Sequence, residues 1–243
     1  MTSFPTKINI GCGYDKRPDF LNIDSDPACA PDILIINNDL SGLPQGHFEE
    51  AIALDVLEHI PRAQMMGALF DWAALLKTGG RLFIETSYIY GIIDVMRRAD
   101  DFETAHNWKT CLFGNQVHPG DWHCNGFTKR TLRTYLHAVG LSDEGLEIRD
   151  EWLIYGWATK TKDWSDFAAI ADPREFLTEA FRYFLGREPE SFRFDAAVTA
   201  PGSKERMAEI KTLACSEERL YRIGRELDLE PQSPRPMAES PAA

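Results

Sequence analysis

The sequence predicts an α/β protein built on a mostly parallel sheet. Three observations predict it. Short apolar runs recur along the first third of the chain, and a stretch with helical spacing separates the last two of them. The first run ends in Gly11-x-Gly13, where the missing Cβ lets backbone approach a ligand closely. Gly11, Asp24, Asp39 and Asp55 all follow such runs. In parallel α/β sheets the ligand sits beyond the carboxyl ends of the strands, where strand order reverses.

Taken in order, Ile8–Ile10 reads as the first strand and Phe20–Asp24 as the second. About nine residues separate them, fewer than the dozen or so a parallel crossover usually needs, so the first helix is abbreviated to a turn or missing. Ile33–Ile36 is apolar throughout and reads as a strand buried on both faces. Ala51–Leu54 is a fourth strand, leading into Asp55. Arg62–Lys77 has apolar residues at Met65, Met66, Leu69, Trp72, Ala73 and Leu76, a helical spacing that Thr78-Gly79-Gly80 ends. Arg81–Thr86 is a fifth strand. Ser87–Phe127 reads as irregular, and a long structureless stretch inside a compact domain is usually a functional loop or lid. Thr128 caps a helix that ends at Gly140. Leu146–Ile148 and Trp152–Thr159 form a closing antiparallel pair at the sheet edge. Beyond Asp163 the pattern turns helical: Pro173–Leu185, stopped by Gly186, then Ser203–Cys215 and Glu217–Leu227. The spacing thus divides the chain into a sheet domain over 1–163, a helical module over 164–229 and a tail over 230–243. Four prolines in Pro231–Ala243 predict a disordered tail.

A chain of 243 residues, 44% of them hydrophobic, can bury a sizeable core without disulfide or metal staples. Its net charge of −12 disfavours nucleic acid and anionic membrane as partners. The five cysteines are odd in number and scattered, with no CxxC pair, as in a reducing compartment. No signal peptide precedes Ile8, and no apolar run approaches the ~18 residues of a membrane span. These features predict a cytoplasmic protein.

The Gly-x-Gly turn and an acid at the end of the next strand outline a site for a nucleoside cofactor, because a carboxylate there can accept from both ribose hydroxyls. The spacing argues against a nicotinamide-dependent oxidoreductase. That fingerprint has a third glycine where this chain has Lys16, and places its acid roughly 20 residues on, well beyond Asp24.

In order, INIGCG, LNID, NDLSGLP, ALDVLEHIP and LLKTGGRLFIE resemble the segments of a class I S-adenosylmethionine-dependent methyltransferase with a Rossmann-like sheet. They are most similar to the bacterial branch with a shortened first helix, associated with surface-polysaccharide genes. The resemblance spans Lys7–Thr159. It implies S-adenosylmethionine as cofactor, with Asn9, Gly11 and Gly13 in the glycine segment that lies against it. Asp24 would bind the ribose hydroxyls. Asp39 and Leu40 would meet the adenine, and Asp55 would stand beside the methionine amino group. Glu58 and His59 would start the next helix on the substrate side. His59 is then the candidate general base, although methyl transfer does not require one, because alignment of an activated electrophile is itself worth up to ~7–11 kcal/mol.

The segment FGNQVHPGDWHCNGF (Phe113–Phe127) also resembles this branch and is placed as a lid over the acceptor pocket. His118 and His123 become acceptor contacts, and Tyr14 and Trp122 candidate aromatic faces. His118, Asp121, His123 and Cys124 match no common zinc spacing, so no metal site is assigned. Without a first helix, the Gly11–Tyr14 amides, with Lys16 or Arg17, must hold the cofactor carboxylate.

The implied activity is methyl transfer to a hydroxyl or amine of a small molecule, with a saccharide or polysaccharide precursor implied by family association. REFLTEAFRYFLGREPE and SEERLYR resemble a bacterial helical module of unknown function. That module could stabilise the domain, form a homodimer or dock a polysaccharide-assembly partner. The alternative reading is a methyltransferase-like scaffold or assembly protein without catalysis.

Overall fold

The computed structural model describes residues 4–117, 119–197 and 202–229. His118 and the predicted disordered tail lie outside the described residues. The first strands are β1 (Lys7–Ile10), β2 (Leu21–Asp24), β3 (Ile33–Leu34) and β4 (Phe48–Leu54). They are followed by α1 (Arg62–Leu75), β5 (Leu76–Ser87), α2 (Ile89–Arg98), α3 (Phe102–Phe113) and α4 (Lys129–Ala138). Next come β6 (Leu141–Asp143), β7 (Glu147–Arg149) and β8 (Leu153–Lys160). The helices α5 (Ser165–Ala168), α6 (Pro173–Leu185), α7 (Ser191–Ala197), α8 (Ser203–Ala214) and α9 (Glu217–Leu229) complete the order.

The strands form one sheet in the order β3-β2-β1-β4-β5-β8-β6, with β7 also paired to β8. β1 to β5 run parallel, and β8 is antiparallel to β5, β6 and β7. Strand order therefore reverses between β1 and β4, both of which neighbour each other at the centre. That reversal opens a crevice at their carboxyl ends.

No helix joins β1 to β2. Buried amides replace it. Asn9 Nδ2 donates to Asp15 O (2.8 Å) and Asn22 Oδ1 (3.1 Å). Asn22 Nδ2 donates to Arg17 O, Phe20 O and Asp32 Oδ2, while Arg17 N donates to Asn22 Oδ1. Side chains thus satisfy loop backbone that a helix would have satisfied internally.

Several expectations are corrected. β3 is a short edge strand with Leu34 43% and Ile36 66% exposed, so it is not buried on both faces. α1 ends at Leu75, before the glycines. Leu76 already pairs with Phe48, and Gly79-Gly80 lie in a bulge, after which the register resumes at Glu50↔Arg81. Ser87–Phe127 is largely helical, in α2 and α3. α3 buries none of its residues, so it carries no apolar stripe for a sequence pattern to reveal. β8 lies inside the sheet, and β6 and α7 are additional elements.

Thr128 does cap α4. Its Oγ1 accepts from Thr131 N (3.1 Å), and Thr131 Oγ1 accepts from Thr128 N (2.9 Å), which closes a capping box. α1 buries residues on both its faces, because both are covered. Leu69, Trp72 and Ala73 are buried, and α8 lies across its outer side, where Lys211 Nζ pairs with Asp71 at 2.6 Å. The sheet and the helices beyond Trp164 share one continuous apolar core, from Ile8 and Leu82 to Phe181 and Ile210. Among the described residues no helix is long and apolar enough to cross a membrane.

Candidate functional site

A cleft of about 320 Å³ opens at the carboxyl ends of β1, β2 and β4. Its walls include Gly11, Gly13, Asp24, Leu40, Asp55 and His59. Sequence reasoning thus brings residues from four separate segments to one place.

The glycine turn leaves β1 and stays against β2, because Cys12 N donates to Ile23 O at 3.0 Å. Gly11 has φ +65°, and a Cβ there would stand 2.5 Å from a Val56 methyl carbon. Glycine at 11 is therefore demanded by packing against the loop after β4. Gly13 has φ +49°, and a Cβ there would meet nothing within 4 Å. Gly13 borders the cleft.

Asp24 ends β2. Its Oδ2 accepts from Gly13 N (2.7 Å) and its Oδ1 from Asp26 N (2.8 Å). Two backbone donors fix the plane of the carboxylate, and each oxygen keeps a lone pair for another donor. Asn9 is buried and holds the loop through Asp15 and Asn22; it is not part of the cleft wall. Asp39 is exposed and turns back on its own turn, accepting from Ser41 N at 2.9 Å. Hydrogen bonds from Ser41 hold it below the usual carboxylate range. Its neighbours Asn38 and Leu40 are the wall residues of that segment. Lys16 donates to Ala30 O, and Arg17 pairs with Asp15, so both cations are engaged beside the turn.

Asp55 follows β4 with φ +52°, a left-handed backbone that is uncommon for a residue with a Cβ. Its N–H donates to Glu85 O at 3.1 Å, which ties the turn to β5. Surrounding protein and the charge of Glu58 raise the Asp55 carboxyl, against the opposing pull of His59, His123 and Arg149. Val56 and a short 3₁₀ turn, Leu57–His59, follow. Glu58 does not face the cleft. It is 1% exposed and accepts from Thr86 Oγ1 (2.8 Å) and Ser87 Oγ (3.0 Å) at the end of β5.

The Trp122–Phe127 segment is zipped to this turn. Cys124 N and Asn125 N both donate to Glu58 O, and Asn125 Nδ2 donates to Ile60 O. His59 Nδ1 lies 3.2 Å from Trp122 O, and His123 Nδ1 lies 3.0 Å from Cys111 O. A carbonyl only accepts, so in each neutral ring Nδ1 carries the proton and Nε2 keeps the lone pair. The two rings meet edge to face at 4.7 Å. Burial, then the neighbouring His59, lowers His123 from its ordinary value. Tyr14 and Trp122 are exposed and stand outside the cleft wall. Among the described residues no group of His, Cys, Asp and Glu could hold a metal ion.

Sequence reasoning missed Ser25, Ile35 and Trp72 as wall residues. Trp72 sits on the apolar pattern of α1 and read as core, and the pattern holds no signal for which core residue borders a cleft. It also missed Glu85, whose buried carboxyl is paired with Arg149.

No protein-family model matches the sequence, and no curated protein matches it. Solved structures do. A SAM-dependent methyltransferase of Methanosarcina mazei aligns with a TM-score of 0.50 at 13% identity, over 65% of this chain and 92% of that one. The 1,6-didemethyltoxoflavin-N1-methyltransferase of Burkholderia thailandensis, solved with 1,6-didemethyltoxoflavin and S-adenosylhomocysteine bound, aligns with a TM-score of 0.43 at 14% identity, over 64% and 71%. An S-adenosylmethionine-dependent methyltransferase of Mesorhizobium loti aligns with a TM-score of 0.44 at 16% identity, over 63% and 90%. At such identities the Methanosarcina likeness speaks to architecture: this chain has a Rossmann-like methyltransferase fold with a helical C-terminal part.

Proposed function

We propose that the protein transfers a methyl group from S-adenosylmethionine to a hydroxyl or amine of a small molecule. The observation that carries this reading is the convergence of Gly13, Asp24, Leu40 and Asp55 on one cleft at the strand-order reversal. The residues fit the cofactor. Open space over Gly13 admits close approach, and Asp24 keeps lone pairs for two ribose hydroxyls. Ile23, Leu40 and Trp72 supply an apolar wall for a base, and Asp55 an anion for the methionine ammonium. When bound, the cofactor supplies a methyl group on positively charged sulfur.

The chain's own work is alignment and proton handling. The pinned Asp24 carboxylate and the fixed Asp55 turn orient the donor. His59 Nε2 accepts the acceptor's proton as its oxygen or nitrogen is methylated. His123, against the His59 ring, holds that ring upright. The Trp122–Phe127 segment, with Gly120 in the wall, limits water. Asn9 acts through the loop it braces. The resemblance gives Asp39 to the adenine amino group, a role that would require its carboxylate to leave Ser41 N. It also supports a saccharide acceptor and a polysaccharide-assembly setting, with 164–229 as a bracing or docking appendage to a 1–163 domain.

The test is an assay of wild type and His59→Ala with S-adenosylmethionine and a panel of sugars, amines and phenols, read by product mass. The expected result is an acceptor that gains one methylene with wild type and gains it at least ~100-fold more slowly with His59→Ala, within the ~10²–10⁴-fold range of general-base loss. Equal rates would remove His59 from the chemistry. No methylated product and no bound cofactor would overturn the reading itself.

A further inference from the structure

A second cavity, of about 450 Å³, lies where the C-terminal helices meet the sheet layer. His137 and Ser142 border it from α4 and β6, Thr161 from the end of β8, and Arg182, Arg219 and Arg222 from α6 and α9. Three guanidinium groups thus face one cavity, in a chain whose net charge is −12.

Arg219 is the informative one. It is 5% exposed and is held between the rings of Tyr183 and Phe184, each 5.4 Å away. Its Nη1 donates to Tyr183 O and Phe184 O at the C-terminal end of α6. Among the described residues its buried Nε has no hydrogen-bond partner and Arg219 makes no ion pair; the one carboxylate bordering the cavity, Glu226, is paired with Arg222. A buried guanidinium without an anion is costly, and a bound anion would remove that cost. Its neighbours differ. Arg222 Nε donates to Glu226 (2.7 Å), and Arg182 pairs with Glu179 and Glu188. The Arg182 pairs are exposed and exchangeable, while half-buried Arg222 also donates from Nη1 to Tyr183 O at 2.8 Å. His137 is tied to Asp143 at 2.8 Å.

We infer that this cavity binds the phosphate or diphosphate group of a small molecule, with Arg219 as its fixed cation and Arg182, Arg222 and Ser142 completing the donor set. Guanidinium forks match phosphate oxygens two at a time. Guanidinium, hydroxyl and imidazole donors around one space outnumber what a planar carboxylate takes. An anion here would join α4 and β6 to α6 and α9 and so lock the C-terminal helices onto the sheet layer. The inference is independent of the methyl-transfer cleft, whose walls share no residue with this cavity.

The experiment is thermal denaturation of the full chain with inorganic phosphate, against sodium chloride and sodium acetate at matched ionic strength. The expected result is a saturable rise in Tm with phosphate that chloride and acetate do not reproduce. Arg182→Gln, an exposed position, should weaken the apparent phosphate affinity about tenfold. Arg219→Lys should weaken it as much or more. If Arg219→Lys fails to fold, Arg182→Gln decides. No rise beyond chloride, or a rise unchanged in Arg182→Gln, would show a helix cap only and overturn the inference. An equal rise with acetate would overturn the phosphate assignment in favour of a carboxylate.

Discussion

Asp24 carries both structure and the proposed binding. Its oxygens accept from Gly13 N and Asp26 N, so Asp24→Ala would loosen the turn as well as remove the ribose acceptor. Asp24→Asn separates them in part, because the amide oxygen keeps one of the two backbone bonds while its NH2 faces the other N–H and cannot accept. It is expected to weaken S-adenosylmethionine binding about 10–100-fold, the worth of a charge-assisted hydrogen bond, with a smaller drop in Tm than Asp24→Ala. Calorimetry and thermal melts read these separately. Gly11→Ala is expected to lower stability and abolish binding together, because its Cβ would collide with Val56 on a φ of +65°. At this scale the sequence told which residues border the cleft better than it told what holds them there. Gly11, Asp24 and Asp55 were legible as strand-end residues. That Gly11 makes room for Val56, that Glu58 turns inward to Thr86 and Ser87, and that Asp39 folds back on Ser41 are contacts between distant segments. No local spacing encodes them.

Among the elements, those with a strong period were legible and those without were not. α6 shows its stripe at Phe176, Leu177, Ala180, Phe181 and Phe184, and matches expectation from Pro173 to Leu185. α3 has no stripe, since it lies over the molecule without burying a residue, and its helicity rests on the Asp101 cap, which accepts from Thr104 N at 2.8 Å. The absent first helix was legible from the roughly nine residues between the first two strands, but the Asn9–Asn22–Asp32 network that replaces it was not. The α4 cap offers a test free of the cleft. Thr128→Ala should lower unfolding free energy by about 1 kcal/mol, read as a shift in urea midpoint with unchanged slope.

For the molecule as a whole, the C-terminal helices belong to the core that the sheet organises. Lys211–Asp71 and Cys215 Sγ to Met66 O fasten α8 to α1, and Arg130–Asp228 fastens α9 to α4. A chain stopped after Asp163 would expose the outer face of α1, and is expected to lose its cooperative thermal transition. Acid sensitivity is a second property of the whole. The backbone N–H of Asn22 holds Asp32 below its ordinary 3.8, and the backbone N–H groups of Glu175 and Arg174 do the same for Asp172. At Asp143 burial pushes up, but His137 and Arg133 outweigh it and the carboxyl ends low. Depressed folded values mean that this stabilisation is complete above pH 3.8 and drains as pH falls through the lower folded values. The share of the urea midpoint that these three carboxylates supply should be level above that point and fall below it, so Asp143→Asn should flatten part of the acid limb. The central claim is that strand ends from four segments build one cofactor cleft, and calorimetric titration of wild type and Asp24→Asn with S-adenosylmethionine tests it most directly. Saturable single-site binding by wild type, weakened at least tenfold by the substitution, is the predicted result. No binding heat at the highest soluble cofactor concentration, or equal affinity in both proteins, would contradict it.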